Sequence, residues 1–319
     1  MNAMMSSLNR SRVFCCFTML LAAVTAGTLW AGPSPTWCGT KLNSLAVKDD
    51  GGNLVVLGME GSYNNGGNTK EKVFDGDVNT FFDPPSGGTA AVPCWAGLEF
   101  TEPVVVTRIR YYGRPTTLWN RMFGCFFQGA NQADFSDAVT LHVGATTDGW
   151  TWDDKAKKGT WADFYVANPE SLHGYKYLRL LGADGAYCGN PSEIEFYGVT
   201  AAALSAAFDG QTPTCSAANI VTSFFINNHL TLGLAYTAAA PFYELQRKPA
   251  ASDDSAYEHV AYIPFCWDNY TADTIHGYLC FDEKPVYDST TYRLRAYGTA
   301  AQSPWYEVGT FKSYAMKGV

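Results

Sequence analysis

The run Val104–Tyr112, VVVTRIRYY, decides the fold class. Three β-branched residues open it and two tyrosines close it, a composition that suits a pleated sheet surface. Arg108 and Arg110 fall on one face, and Thr107, Ile109 and Tyr111 on the other. A period of two with one apolar side marks a half-buried strand. The same pattern recurs at Glu193–Tyr197 (EIEFY), where Ile194 and Phe196 oppose Glu193 and Glu195. It recurs at Tyr292–Tyr297 (YRLRAY), where Tyr292, Leu294 and Ala296 oppose Arg293, Arg295 and Tyr297. Turn-forming clusters such as Gly61–Asn68 and Pro84–Gly88 punctuate these runs. No long stretch has helical periodicity. Many short strands with frequent turns predict an all-β protein of sandwiches or barrels.

The chain has 319 residues, which predicts two domains at about 100–200 residues each. Hydrophobic residues make up 47%, enough to fill cores of that size, so wholesale disorder is excluded. The formal net charge is −8 and charged residues are only 16%. Nucleic acid and anionic membrane both demand clustered Lys and Arg, so neither is an expected partner. A boundary is expected near Gly198, where EIEFYG gives way to the bland VTAAALSAA of Val199–Ala207. The expected organisation is a leader at 1–31, a spacer and lead-in strand at 32–52, a first domain at 53–199 and a second at 204–318.

The leader is read from Arg10 and Arg12, the apolar run Val13–Ala23 and the small residues around Ala26 and Ala31. That run is far short of the ~20 residues that span a bilayer, and its flanks are those of a secretory signal peptide. No later run is apolar and long enough to span. The expected location is secreted, periplasmic or at the cell surface. Removal of the leader takes Cys15 and Cys16 from the nine cysteines and leaves seven. An oxidising compartment permits disulfides, and an odd number leaves at least one thiol over. Cys266 and Cys280 flank a turn-like stretch between two strand-like runs and are the expected pair. Cys38, Cys94, Cys125, Cys188 and Cys215 are left unpaired by this reading.

The usual catalytic signatures are absent: no HExxH, no GxSxG, no glycine-rich phosphate loop and no CxxC. The five histidines are scattered, and no carboxylate pair stands out. No enzymatic activity is expected. One segment does carry chemistry. In KVFDGDVNT, Lys72–Thr80, Asp75, Asp77 and Asn79 alternate around Gly76. Closely spaced hard oxygens on a glycine-containing loop suit Ca²⁺, and the same pattern suits a solvated Asp-Gly turn. It is not an EF-hand, because Thr80 and Ser86 stand where that loop needs Gly and Glu.

Five fragments in order resemble the F5/8 type C, or discoidin-like, family with its galactose-binding-like carbohydrate-binding modules. They are KVFDGDVNTFF (Lys72–Phe82), WAGLEF (Trp95–Phe100), VTRIRYYGRP (Val106–Pro115), RMFGCFFQGANQADFSDAVTLH (Arg121–His142) and YKYLRLLGADGAYCGNPSEIEFYG (Tyr175–Gly198). The resemblance implies an eight-stranded jelly-roll β-sandwich. It implies a structural Ca²⁺ held by the carbonyl of Lys72, the carboxylate of Asp75, the carbonyl of Asp77, the carbonyl and hydroxyl of Thr80, the carbonyl of Ser192 and the carboxylate of Glu193. It implies a glycan site in the loops at one end, for which the matching residues are Arg114, Trp119, Asn120 and Tyr187. Galactose-type members commonly carry a histidine before the WAGLEF-like strand, and Asp83–Pro93 has none. The second domain resembles, more loosely, a fibronectin type III immunoglobulin-like sandwich. Its fragments are YELQRK (Tyr243–Lys248), YEHVAYI (Tyr257–Ile263) and STTYRLRAYG (Ser289–Gly298), with Tyr292 at the tyrosine corner. The expectation is an exported, non-catalytic carbohydrate-binding or adhesion protein with a glycan partner. The rival is a protein-interaction or surface-assembly module gripping a cell-envelope protein.

Overall fold

The structure is a computed structural model. It describes residues 40–312 apart from 90, 116–117, 154, 156–157, 184–186, 209–211, 227–228, 236–241, 265–276, 283–287 and 299–300. The expected leader and the expected Cys266–Cys280 pair fall outside the described residues.

The expected all-β architecture is the one observed. The strand Trp95–Gly113 organises the first half of the chain. Its first part, Trp95–Glu99, pairs antiparallel with Leu181–Tyr177, and Ala96–Leu98 pairs with Gly58–Val56 on the other side. Beyond Tyr175–Leu181 lie Phe126–Ala130 and then Val139–Val143. After the exposed corner Thr101–Pro103 the same strand enters a second layer. There Val104–Gly113 pairs with Thr200–Pro191, and Arg108–Tyr111 pairs with Tyr165–Ala162. The apolar faces of both layers meet in one core that includes Leu98, Phe100, Val106, Ile109, Tyr111, Phe127, Leu178 and Phe196. The period-two reading holds: Thr107, Ile109 and Tyr111 are buried, while Arg108 and Arg110 turn outward to Asp163 and Glu195.

The stretch read as a lead-in belongs to this sandwich. Leu42 is fully buried in its core, and Asn43 bonds the backbone of Ile194 (2.9 Å) and Phe196 (2.9 Å). A polar side chain buried beside a strand end must find such partners. The disulfide is Cys94–Cys188, with Cα atoms 5.2 Å apart. Cys125 and Cys215 are free thiols. Cysteine spacing alone could not show the Cys94–Cys188 pair, because a sequence separation of 94 is closed by sheet topology.

The second half holds a three-stranded sheet, Ile220–Ile226, His229–Ala235 and Gly277–Asp282. A four-stranded sheet runs in the order Glu258–Pro264, Phe242–Pro249, Ser289–Tyr297 and Tyr306–Lys312. Leu230, Leu232 and Leu234 meet Tyr243, Leu245, Tyr292 and Leu294 in its core. On the outer face of the four-stranded sheet, Glu244 is buried. It accepts from Arg295 Nε (2.8 Å), the Tyr297 hydroxyl (2.8 Å) and Gln246 Nε2 (2.9 Å).

Between the two halves the expected bland linker forms the helix Ala201–Phe208. Its composition is mostly alanine, a strong helix former, which periodicity alone does not flag. Leu204 packs with Val105, Leu172, Val199 and Phe242, joined by Tyr165, Tyr262 and Tyr297. The corner end of the first sandwich and one end of the outer four-stranded face thus share a small apolar cluster. Emptying its centre should separate the halves. Phe242→Ala is expected to cost about 3–5 kcal/mol. Differential scanning calorimetry should then resolve two transitions where the wild type gives one.

Candidate functional site

The doubling-back of Trp95–Gly113 carries both of its ends to one edge of the sandwich. Trp95 lies opposite Leu181 and Gly113 opposite Pro191, so the loop 182–190 spans the two layers there. The disulfide ties this loop to the start of the strand. Cys188 and Asn190 adopt left-handed backbone angles, φ 52 and 48, and Gly189 between them lies at φ 71. Asn and Gly visit that region at least cost. Gly189 is also required by space: a Cβ there would sit 2.5 Å from Met122 Sδ.

Arg114 follows the strand immediately. Its guanidinium lies 4.0 Å from the centre of the Phe81 ring and its Nη1 3.2 Å from Asp83 Oδ2. Asp83 Oδ1 accepts from Asn190 Nδ2 (3.0 Å), which also donates to the Phe82 carbonyl (2.8 Å). Arg121 Nη1 donates to Asn190 Oδ1. Two cations, one carboxylate and one amide therefore form a continuous network at the loop end. The short turn Tyr63–Asn65 is fastened beside it. Tyr63 N donates to the Asp83 carbonyl (2.7 Å), and Asp83 N donates to the Asn68 carbonyl (2.9 Å). Asn64 and Asn65 take left-handed angles, and the Tyr63 side chain is left 54% exposed.

Of the residues expected to bind sugar, Arg114 lies in this network. Asn120 is exposed on the turn Trp119–Met122, which lies against the turn Tyr187–Gly189. The backbone of Trp119 and of Tyr187 is thereby brought to the same end; the description does not extend to their side chains. The sequence reading did not single out Tyr63, Phe81 and Asp83, nor the bridging contacts of Asn190. Asp83 has a traceable signal, since it directly follows the VNTFF segment. Tyr63 has only its position in an Asn- and Gly-rich turn.

The Lys72–Thr80 loop folds against the last strand. Asp75 Oδ1 accepts from Asp77 N (2.9 Å), and Asp75 Oδ2 accepts from the Thr80 hydroxyl (2.8 Å). Lys72 Nζ stands 3.4 Å from Asp75 Oδ2. Asp77 Oδ1 accepts from Asn79 N (2.9 Å), which holds its carboxyl below the usual range. Glu193 reaches in from the strand and accepts from Gly76 N (2.7 Å) through Oε2. The structure thus joins Thr80 to Asp75, and Glu193 to the adjoining Gly76. Glu193 is 1% exposed, and its Oε1 is buried without a hydrogen-bond partner, as is Ser192 Oγ. Burial pushes the Glu193 carboxyl up to about 8, and Asp75 adds to the rise. The Gly76 N–H and the Lys41 charge pull the other way without offsetting the burial. Among the described residues no three His, Cys, Asp or Glu converge, so any cation here would take carbonyl and hydroxyl oxygens as well.

No protein-family profile and no curated protein matches the chain. Solved structures do. The carbohydrate-binding module CBM62 from Clostridium thermocellum Xyl5A is 43% identical over 46% of this chain and 95% of the module, with a TM-score of 0.39. The match takes in nearly the whole of that module and just under half of this chain. Two others are far more distant in sequence. A family 32 module of Clostridium perfringens NanJ, solved with galactose, is 12% identical over 50% of this chain and 98% of its own, at a TM-score of 0.33. An F5/8 type C domain from Bacteroides fragilis is 15% identical over 50% and 98%, at 0.32.

The raised Glu193 carboxyl has a signed consequence in metal-free protein. Its folded value of about 8 lies above the ordinary value of 4.5, so the folded state holds the proton more tightly. Stability is then lost as pH rises from about 4.5 to about 8. In EGTA the melting temperature should fall across that window, and Glu193→Gln should flatten the fall. A pH-independent melting temperature in EGTA would contradict the assignment.

Proposed function

We propose that this protein is an exported, non-catalytic glycan-binding protein. Its first sandwich takes the sugar at the end carrying Arg114 and Tyr63, and the Lys72–Thr80 loop holds a structural Ca²⁺. The observation that carries the sugar reading is the exposed Tyr63 ring, clamped through its backbone to Asp83, which in turn holds Arg114. A sugar offers an apolar C–H face and a rim of hydroxyls. An exposed aromatic ring suits the first, and guanidinium donors suit the second. Asn120, Trp119 and Tyr187 complete the proposed surface. Similarity to a carbohydrate-binding module supports the same reading.

The cation reading is supported by the unmet Oε1 of Glu193, whose Oε2 accepts from the Asp75 loop at Gly76 N. The ligands would be the carboxylates of Asp75 and Glu193, the Thr80 hydroxyl and carbonyl, and carbonyls of Lys72, Asp77 and Ser192. A hard divalent ion accepts such an all-oxygen set. It would keep Glu193 charged and join the loop to the last strand. Export is supported by the signal-like N-terminus and by a disulfide, which suits an oxidising compartment. The second sandwich, with its three- and four-stranded sheets, reads as a fibronectin type III-like spacer or docking unit.

The test is a glycan array with the chain from residue 32, in Ca²⁺ and in EGTA. A reproducible hit is expected, weakened tenfold or more by Tyr63→Ala or Arg114→Ala. Tyr63→Ala is the cleaner variant, because an exposed ring can be removed without unpairing a buried charge. Ca²⁺ should raise the melting temperature, and Asp75→Ala should abolish that rise. A well-folded protein that binds no glycan would sink the sugar reading and favour a cell-envelope protein partner. Indifference to EGTA would sink the cation reading.

A further inference from the structure

The cation loop and the sugar end are built from the same two chain segments. In the first, Thr80 bonds Asp75, Phe81 lies under Arg114, and Asp83 pairs with Arg114. In the second, Asn190 is followed at once by Pro191, Ser192 and Glu193. The segments lie side by side: Phe82 N donates to the Pro191 carbonyl (2.9 Å), and Asn190 Nδ2 donates to the Phe82 carbonyl (2.8 Å).

Asn190 stands at the crossing point. It has no exposed surface, yet it is polar and sits at φ 48. Its amide is used at both ends. Oδ1 accepts from Arg121, and Nδ2 reaches both Phe82 O and Asp83 Oδ1. These partners fix which end is oxygen and which is nitrogen, because Arg121 can only donate and a carbonyl can only accept. A buried amide satisfied in this way is stiff. It transmits the relative position of its two segments to Arg121 directly and to Arg114 through Asp83.

We infer that Asn190 is the positioning residue that couples cation binding at the Lys72–Thr80 loop to glycan binding at the Arg114–Arg121 end. This rests on the proposed readings of both sites. A cation between Asp75, Thr80 and Glu193 draws segment 80–83 and segment 190–193 together. Without it, that tie is missing, and the buried Glu193 side chain holds the loop only through the Gly76 N–H. The Asn190 amide converts that displacement into looser or tighter placement of both guanidinium groups. The coupling is reciprocal: a glycan that orders the arginines must tighten the cation by the same factor.

The test compares the chain from residue 32 with its Asn190→Gly variant. Glycine takes the same left-handed backbone without strain and removes only the amide. Three quantities are read with Ca²⁺ and with EGTA: the melting temperature, the affinity for D-galactose by calorimetry, and amide hydrogen exchange around Arg114 and Arg121. In the wild type, Ca²⁺ should raise the melting temperature, tighten galactose about fivefold or more and slow the exchange. In Asn190→Gly, Ca²⁺ should still raise the melting temperature, while galactose affinity and exchange become indifferent to it. Galactose affinity that ignores Ca²⁺ in a wild type whose melting temperature responds would overturn the coupling and leave both site readings standing. So would calcium dependence retained in the variant. If Ca²⁺ leaves the melting temperature unchanged, the cation reading fails and the coupling with it. If galactose does not bind, the exchange arm decides: slowing in the wild type alone supports the coupling, and its absence overturns it. Should Asn190→Gly not fold, Asn190→Asp serves, since it can still accept from Arg121 but cannot donate to Phe82 and Asp83.

Discussion

The antiparallel pairing of one long strand with two different layers is the constraint on which the first sandwich depends. Trp95–Gly113 gives its first residues to one sheet and its last to the other, folding at Thr101–Pro103. Two consequences follow without further design. The apolar faces of the layers must look at one another, so a single core fills from both sides. Both ends of the strand must also arrive at one edge, where Cys94 stands before Trp95 and Arg114 after Gly113. Leu181 and Pro191 end in different layers at that edge, and the disulfide ties Cys188, just before Pro191, to Cys94.

That edge concentrates features that are costly in isolation. Five non-glycine residues of the described chain have positive φ, and four of them, Asn64, Asn65, Cys188 and Asn190, belong to the turns around Asp83. Such angles persist only where surrounding bonds over-determine them. Here those bonds are the backbone contacts of Tyr63 and Asn68 to Asp83 and the three-way use of the Asn190 amide. Buried polar atoms gather along the same segments. The amide of Asn190 is fully used, whereas Glu193 three residues later keeps an oxygen unmet. The difference between a satisfied and an unsatisfied buried group is what separates a structural position from a candidate ligand site.

Much of the fold was legible because local pattern and tertiary role agree. Ile109, Tyr111, Ile194 and Phe196 alternate with charged residues and are buried as the alternation requires. The second sandwich behaves likewise at Tyr292, Leu294 and Ala296. The Asp75–Thr80 loop was legible because its oxygen donors crowd within six residues. What was not legible depends on closure over long separations. Cys94 meets Cys188, Asp83 meets Arg114 and Asn190, and Tyr63 stands beside them only once the sheets are assembled. The helix Ala201–Phe208 escaped for another reason. Among its described side chains only Leu204 is fully buried, with Ala201 packed beside it, and so short a buried stripe leaves no periodic trace.

The apolar cluster of Leu204, Phe242, Val105 and Val199 lies at the corner end of the first sandwich, opposite the edge where Gly113 meets Pro191. A load applied between the Arg114 edge and the second sandwich therefore runs lengthwise through the first. It enters at the arginine edge, travels along Val104–Gly113 and Pro191–Thr200, and leaves through Leu204 and Phe242. Antiparallel strands loaded along their length resist by shearing many hydrogen bonds together, whereas the small junction would part by losing a few apolar contacts. Under tension the weak link between the two sandwiches is this waist.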